Sequence, residues 1–298
     1  MKNSCLWLIQ TLSICILSVA ATTGLASEFT PHRALYDLSL KTARLGSGIS
    51  AVTGKMAVEW NNSCTGWAFQ YRSAIDVTFD EGAPVRLASN AATWESSDSK
   101  HYSFDVRHHT NGKEVERIEG VASFRNDKVA GQTDFTHPKP LRIDLPVGTL
   151  FPVAHSLEIM RAAKFGRPPQ FLSRTIFDGM DVEGLYQVNA IIGPLNNRKE
   201  KVANQLQLLK GIPSWSVSLA YFAVKSGKST PNHEIKMHLF ANGVSDNLIM
   251  DFDEFRSPTP HPGRQGEQIG EEEGMGGIRT SLPPGVILVV LQVVLAYS

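Results

Sequence analysis

Cysteine is the rarest chemically reactive side chain of this sequence, with three copies at Cys5, Cys15 and Cys64. The first two lie in an apparent export signal at the N-terminus, so export leaves Cys64 as the one thiol of the mature chain. A leftover thiol in an exported protein indicates a missing disulfide partner, an intermolecular bridge or a reactive group. The cysteine count alone leaves these three alternatives open.

The nine histidines raise the question of a metal site. His108 and His109 are adjacent, and His233 and His238 are five residues apart. Residues separated by an odd number point to opposite faces of a strand, so neither pair can bind one ion. No cysteine or carboxylate cluster has zinc-like spacing either. We therefore predict that the protein binds no metal and no cofactor.

Two further segments have the residue types of a ligand site but not its spacing. "FDGMD" contains Asp178 and Asp181 without the spacing of an EF-hand, so we interpret it as a turn with solvated carboxylates. "SGKST" (226–230) lacks the first glycine of a P-loop, because Phe222 occupies that position. The sequence has no Gly-x-Ser-x-Gly nucleophile motif. We therefore predict no catalytic residues and no enzymatic activity.

Two groups of aromatic side chains share the faces of predicted strands and could line a lipid pocket. They are Trp67, Phe69 and Tyr71 in the first group, and Trp215, Tyr221 and Phe222 in the second. Alternation buries one face of a sheet in any case, so core packing is the favoured interpretation and predicts no stoichiometric lipid. A β-barrel interior can also hold an apolar ligand. A lipid or lipoprotein carrier therefore stays as the alternative.

The elements that position these residues are predicted to be strands. Apolar and polar residues alternate, as half-buried antiparallel strands require, in "LYDLSLK" (35–41), "KMAVEW" (55–60), "GWAFQYR" (66–72) and "AIDVTF" (74–79). Asn111-Gly112 and Asn242-Gly243 favour tight hairpins, because both residue types tolerate positive φ. We predict an all-β domain over residues 27–255, either a sandwich or a barrel of antiparallel strands.

One stretch interrupts the alternation. Two prolines in "LPVGTLFPVAH" (145–155) lead into good helix formers from Ser156 to Phe165, and Gly166 follows where a C-terminal cap would lie. We predict one short helix over residues 156–165, in the middle of the fold. Residues 199–210 fit a helix and a strand equally well.

The N-terminus predicts export. Lys2 precedes a mostly apolar stretch, and small residues at Gly24 and Ala26 predict a signal peptide over residues 1–26, cleaved between Ala26 and Ser27. The alternatives are a buried helix or a membrane anchor, but the stretch is somewhat short for the roughly 20 residues that span a bilayer. A formal net charge of zero argues against a nucleic-acid partner, which requires a basic face.

Seven segments follow one another in an order that is informative as a set. They are "PHRALYDLSL" (31–40), "SGISAVTGKM" (47–56), "CTGW" (64–67), "LPVGTLFPVAH" (145–155), "FDG" (177–179), "WSVSLAYF" (215–222) and "NGVSDNLIMDF" (242–252). Together they resemble the EipB family of periplasmic cell-envelope integrity proteins of Gram-negative bacteria. The family pattern commonly has proline where this chain has Ser216. The resemblance implies a single antiparallel, barrel-like β-spiral domain with one short helix in its middle. It also implies a role in envelope integrity and stress resistance, and a tetratricopeptide-repeat partner protein. It implies no known catalytic residues.

The resemblance also bears on the leftover thiol. In the family, the cysteine that corresponds to Cys64 forms a disulfide with a cysteine near the C-terminus, and no cysteine follows Phe255 here. We therefore expect Cys64 to be a free thiol, on or near the start of a strand that begins at Thr65. If the family's last strands are missing together with that cysteine, the sheet would also have an unpaired edge.

The tail over residues 256–298 departs from the family altogether. It is rich in proline, glycine and glutamate, and then abruptly apolar in "GVILVVLQVVLA". A frameshift in the gene is one interpretation, and a genuine divergent tail that is disordered by composition is the other. The apolar segment is short for a membrane span, and we expect an aggregation-prone segment or a stray strand.

Overall fold

The computed structural model describes residues 29–43, 46–125, 129–167, 169–182, 184–196, 209, 211–252 and 286–294. The predicted signal peptide, its cleavage site at Ala26 and Ser27, and the ambiguous segment 199–210 except for Leu209 lie outside these residues. The described residues form fourteen strands and one helix. No helix within the described ranges is long and apolar enough to cross a membrane.

The strands and the helix have the following bounds: β1 His32–Ala43, β2 Ile49–Asn62, β3 Gly66–Phe79, β4 Val85–Ser96, β5 His101–Thr110, β6 Lys113–Ser123, β7 Gly131–His137, β8 Leu141–Leu145, α1 Pro152–Phe165, β9 Gln170–Phe177, β10 Leu185–Asn196, β11 Ser214–Ala223, β12 His233–Phe240, β13 Ser245–Phe252 and β14 Val286–Val294. The predicted alternating segments all lie in strands. The all-β prediction with one helix in the middle is confirmed.

All fourteen strands belong to one antiparallel sheet, in the order β8-β7-β6-β5-β4-β3-β2-β1-β14-β13-β12-β11-β10-β9. The chain therefore forms two meanders, β1 to β8 and β9 to β13, in which each strand pairs with the next in sequence. The ends of the sheet are β8 and β9, and they do not pair with each other as named strands. A single bridge between Leu150 and Ile176 lies at this opening, so the sheet is barrel-like rather than closed.

The strand β14 joins the two meanders. Val290 pairs with Leu38 of β1, and Leu288 pairs with Met250 of β13. The structure thus differs from the expected unpaired edge, because a tail segment supplies the backbone N–H and C=O groups that β1 and β13 require. Of the two expectations for this apolar segment, the structure shows the strand.

The hairpin predictions are confirmed with different geometries. Asn111 and Gly112 form the two-residue turn between β5 and β6, with φ of 51° and 81°, which suits a turn with two positive φ values. Asn242-Gly243 lies in the four-residue connection between β12 and β13, where Gly243 has φ of 88°. A side chain at Gly243 would also collide with the ring of Phe29, since a Cβ there would lie 2.7 Å from that ring.

The helix α1 begins at Pro152, four residues before the predicted start. Pro152 suits a first turn, because its missing N–H would have no partner there. The N-cap residue Phe151 provides no side-chain hydrogen bond, and the cap comes instead from the distant Glu95 of β4. The helix ends at Gly166, whose N–H bonds the carbonyl of Ala162, with a negative φ of −86°.

The core lies on the concave inner face of the sheet. On β10, alternate residues Val188, Ala190 and Ile192 are fully buried, whereas Ile191 between them is half exposed. Ile159 and Met160 of α1 belong to the same core cluster, so the helix covers the inner face of β9 and β10 rather than the outside. This arrangement fills one end of the interior with the helix.

Candidate functional site

The interior of the sheet contains a cavity of about 360 Å³ that opens to solvent. Its lining comes from both meanders and from α1, with residues on β1, β2, β3, β4, β5, β9, β11, β12 and β13. Cavities of about 300–1,000 Å³ are typical of small-molecule sites. A second depression of about 250 Å³ lies around the Arg33–Glu59 ion pair, is lined partly by charged side chains, and is the weaker candidate.

The cavity walls are mainly apolar and aromatic. Their apolar and aromatic side chains include Phe29, Tyr36, Met56, Val58, Trp60, Phe69, Tyr71, Ile159, Leu219, Tyr221, Ile235, Met237, Leu239 and Leu248. The Trp60 ring centroid lies 4.8 Å from that of Phe29 and 4.3 Å from that of Phe69. The walls therefore offer an apolar surface to a ligand, and the rings of Phe29, Trp60 and Phe69 form one aromatic cluster in it.

The two predicted aromatic groups divide between core and cavity. Trp67 and Trp215 are buried in the core cluster around α1, as core packing predicts. Phe69, Tyr71 and Tyr221 line the cavity, and Tyr71 and Tyr221 also pack against core clusters. Phe222 is neither in a core cluster nor in the cavity lining. The interpretation as core therefore holds for part of these aromatic faces, and the alternative of pocket lining holds for another part. Alternation shows which face points inward, but it does not show whether the opposing walls meet.

Three tyrosines place their hydroxyl groups differently around the cavity. The hydroxyl of Tyr36 donates to the carbonyl of Ser245 (3.0 Å), and that of Tyr102 donates to the carbonyl of Asp178 (2.7 Å). Tyr221 stacks on His233, with ring centroids 4.3 Å apart. Within the described residues its hydroxyl makes no hydrogen bond, so it is available to a ligand.

The Asp178–Asp181 loop corrects the prediction of solvated carboxylates. Asp178 lines the cavity and accepts a hydrogen bond from the N–H of Met180 (3.0 Å). Burial, and then the nearby Asp181 carboxylate, raise the pKa of Asp178 to about 7. Asp181 accepts hydrogen bonds from the Gly184 N–H and the Tyr186 hydroxyl. Both carboxylates therefore organise the loop internally instead of facing bulk water.

His155 is the most distinctive polar side chain of the cavity. It lies on α1, is only 5% exposed, and its Nε2 has no hydrogen-bond partner among the described residues. Burial lowers the pKa of His155 to about 4, so the ring is neutral at neutral pH. An unpartnered buried nitrogen is unfavourable by about 1 to 3 kcal/mol, and a ligand could satisfy it.

Glu95 is a second buried group that the sequence analysis missed. It is 1% exposed, and its carboxylate accepts hydrogen bonds from the N–H groups of Val153 (2.7 Å) and Ala154 (3.0 Å) at the start of α1. Burial raises the pKa of Glu95 to about 7, against the opposing effect of these hydrogen bonds. The available signal was alternation, which puts Glu95 on the same face as Ala91 and Thr93.

The histidines considered for a metal site each contact a neighbouring side chain. His108 lies 2.8 Å from the Ser89 hydroxyl through Nδ1, and His238 lies 3.2 Å from the Asp246 carboxylate. His233 stacks between aromatic rings at the end of β12. Among the residues that the structure describes, no three His, Cys, Asp or Glu side chains come together in a metal-binding group.

Cys64 lies exposed in the turn between β2 and β3, two residues before β3 begins at Gly66. No disulfide occurs in the described part of the chain, and the predicted state of this thiol therefore stays a prediction. Cys64 is not among the residues that line the cavity.

Comparisons with known proteins agree with this architecture. Residues 23–257 match the protein family described as EipB-like. The chain is 29% identical over 239 residues to the cell envelope integrity protein EipB of Brucella abortus (strain 2308), an alignment that covers 79% of this chain and 84% of that protein.

A solved structure shows the same fold. It is the crystal structure of a beta-barrel-like protein of a domain of unknown function from Brucella abortus, with a TM-score of 0.73 and 22% identity. The match covers 90% of this chain and 99% of the other. At this identity the likeness establishes the fold, and the barrel-like prediction is confirmed.

Proposed function

Because the chain belongs to the EipB-like family, we propose that it supports the integrity of the cell envelope, and that it does so from the periplasm. The observation that carries the proposal is the family match from residue 23 to residue 257, which spans every strand of both meanders. The 29% identical relative is named for envelope integrity, and the predicted export signal leads to the same compartment.

The protein acts by binding rather than by catalysis. Glu95 and Asp178, whose raised pKa values of about 7 would suit an acid or base, use their oxygens on backbone N–H groups. The buried Asp246 carboxylate lies 3.2 Å from His238. Glu95 fixes the start of α1, and Asp178 fixes its own loop, so each has a structural task. A purified chain should accordingly show no turnover of envelope components such as peptidoglycan fragments or phospholipids.

A periplasmic tetratricopeptide-repeat protein is the proposed partner, and this part rests on the family resemblance. The test uses the full chain with an affinity tag, expressed in its own bacterium and cross-linked in intact cells. Recovery of a tetratricopeptide-repeat protein from the periplasmic fraction supports the proposal. Recovery of the tagged chain from the cytoplasm, with Ser27 still preceded by residues 1–26, contradicts the periplasmic location.

The cavity supports a second candidate function, a lipid or lipoprotein carrier of the periplasm. A filled interior would have argued against a carrier, and instead about 360 Å³ of space is lined mainly by apolar groups. Burial of an apolar chain there is favourable by about 25 cal/mol for each Å² removed from water. Native mass spectrometry of gently purified protein tests this function, because a carrier should retain a lipid of defined mass.

A further inference from the structure

We infer that the interior cavity is a site for a single acyl chain with an uncharged, hydrogen-bonding head group, which the His155 imidazole and the Tyr221 hydroxyl recognise. This inference rests on the second candidate function and adds the chemical class of the ligand. It depends on the geometry of the cavity and on which of its polar groups still have no partner.

Among the described residues that line the cavity there is no lysine and no arginine to receive an anion. The charges that act on His155 are Glu158 and Arg174, and these two side chains form an ion pair with each other. A carboxylate or phosphate on the ligand would therefore be buried without a counterion, which is strongly unfavourable.

The cavity does offer polar contacts for a neutral head group. His155 Nε2 has no hydrogen-bond partner within the described residues. Burial and the Asp178 charge act on the Tyr221 hydroxyl, and no hydrogen bond within these residues does. The two side chains line the cavity from different elements, α1 and β11. The imidazole stays neutral at neutral pH because burial lowers its pKa to about 4. A neutral imidazole and a hydroxyl can each donate or accept, so they suit an alcohol, ester or amide.

Asp178 disfavours an anion further. Its carboxyl group lines the same cavity, and Asp181 is close enough to raise the Asp178 pKa. Burial, and then the charge of Asp178, raise the pKa of Tyr221, so an anionic head group at the Tyr221 hydroxyl would also lie near this carboxyl group. The competing prediction is a cationic head group paired with Asp178, and the experiment must include one.

The experiment measures displacement of the neutral fluorescent probe N-phenylnaphthylamine from the purified full chain. Three competitors share the same alkyl chain and differ in the head group: dodecanol, dodecanoate and dodecyltrimethylammonium, each below its micelle concentration. We expect dodecanol to bind at least about tenfold more tightly than dodecanoate, because burying an unpaired charge costs more than 1.4 kcal/mol. Equal binding of both, or tightest binding of the cation, would overturn the inference while leaving a carrier function intact.

Variants then test the head-group contacts. His155→Phe should weaken dodecanol about three- to tenfold, the range for one net hydrogen bond, and leave the probe's own affinity unchanged. His155→Gln restores a donor and acceptor and should recover part of the loss. The matched control is His32→Phe, since His32 lines the same cavity but its Nδ1 already lies 2.7 Å from the carbonyl of Thr30.

Each remaining outcome is decisive. If neither the probe nor any competitor binds, both the carrier function and this inference fail. If His155→Phe and His32→Phe have equal effects on dodecanol, His155 has no special role and the inference fails. If His155→Phe does not fold, judged by its circular dichroism spectrum, Tyr221→Phe provides the same test, and an unchanged dodecanol affinity there would contradict the proposed contact.

Discussion

At the scale of single residues, Glu95 connects the two halves of the fold. It belongs to β4 of the first meander, and it caps α1, which packs on the second meander. A carboxylate at a helix N-terminus satisfies N–H groups that have no partner inside the helix. Burial raises the pKa of Glu95 and the hydrogen bonds lower it. The resulting pKa of about 7 shows that burial has the larger effect.

The first prediction concerns pH. Because its folded-state pKa lies above the ordinary 4.5, Glu95 binds a proton more tightly in the folded protein. Its contribution to the free energy of unfolding should therefore fall as the pH rises from about 4.5 to about 7, by up to about 3 kcal/mol. The difference between wild type and Glu95→Gln, from urea unfolding at several pH values, should show this fall.

Comparison with the variant is essential, because burial lowers the pKa of His155 and His233 to about 4. These two histidines destabilise the fold as the pH falls below their ordinary value of 6.5, which opposes the effect of Glu95. The control is Glu81→Gln, at an exposed position of the turn after β3. A difference curve for Glu95→Gln that is as flat as that of the control would contradict the prediction.

The second prediction concerns Cys64. This thiol is exposed in a turn, and export would leave it without a second cysteine in the same chain. We expect thiol titration of the unreduced monomer to find one reactive group, and an oxidising buffer to produce a dimer that reducing agent dissolves. Cys64→Ser should abolish the dimer and change the unfolding free energy by less than about 0.5 kcal/mol, as for most surface substitutions. A blocked thiol in the monomer would show that the prediction is wrong.

Residue types and spacing identified Cys64 but not the buried carboxylates. The segment "FDGMD" predicts a turn with solvated carboxylates, because it lacks the spacing of an EF-hand. The loop instead folds inward, where Gly179 has φ of 65° and lies so close to the Phe104 ring that a Cβ would come within 2.7 Å. That contact joins residues far apart in sequence, so no local pattern could predict the resulting shift in pKa.

At the scale of elements, β14 is the segment whose loss should be most informative. It pairs with β1 on one side and with β13 on the other, so it is the strand through which the two meanders form one sheet. Its removal would expose two unpaired edges, which promote association between chains.

The third prediction is that truncation after Phe252 lowers the melting temperature and makes the protein self-associate. Hydrogen exchange gives the sharper measurement. Amides of β1 and β13 should lose protection in the truncated chain, because their partners on β14 are gone. Amides between β5 and β6 serve as the internal control, since both strands keep their neighbours. Unchanged protection in β1 and β13 would contradict the pairing.

Period-two alternation predicts the strands because each strand buries one face. The start of α1 was placed four residues too late, since its cap is the Glu95 side chain of a strand that is remote in sequence. The place of β14 was also beyond local reasoning. Its uniformly apolar sequence fits many partners, and only the two open edges of the meanders decide where it pairs.

At the scale of the whole molecule, the open question from the sequence was whether the interior is filled. The strands curve into a barrel-like sheet, and α1 packs against β9 and β10. The walls formed by β1 to β3 and β11 to β13 meet in a shared core cluster but leave a cavity beside it. The curvature follows from the twist and register of fourteen strands together. The cavity is therefore a property of the complete sheet, which explains why separate aromatic faces could not predict it.

The fourth prediction concerns whether the fluorescent probe binds in the cavity or on the outer surface. Ile235→Trp, at a lining position of β12, should fill part of the cavity and reduce binding of N-phenylnaphthylamine. Val121→Trp is the matched control, because Val121 is 55% exposed on β6 and is not a lining residue. Equal probe binding by the two variants would show that the probe does not occupy the cavity.

The measurement that most directly tests the central claim, a role in envelope integrity, is survival of a gene-deletion strain in its own bacterium. Cells are plated on a bile detergent and on an antibiotic that an intact outer membrane excludes, with wild-type chain, Ile235→Trp or Val121→Trp supplied from a plasmid. We predict that deletion lowers survival on both agents, and that the wild type and Val121→Trp restore it; failure of Ile235→Trp alone would place the activity in the cavity. Unchanged survival of the deletion strain on both agents would contradict the account.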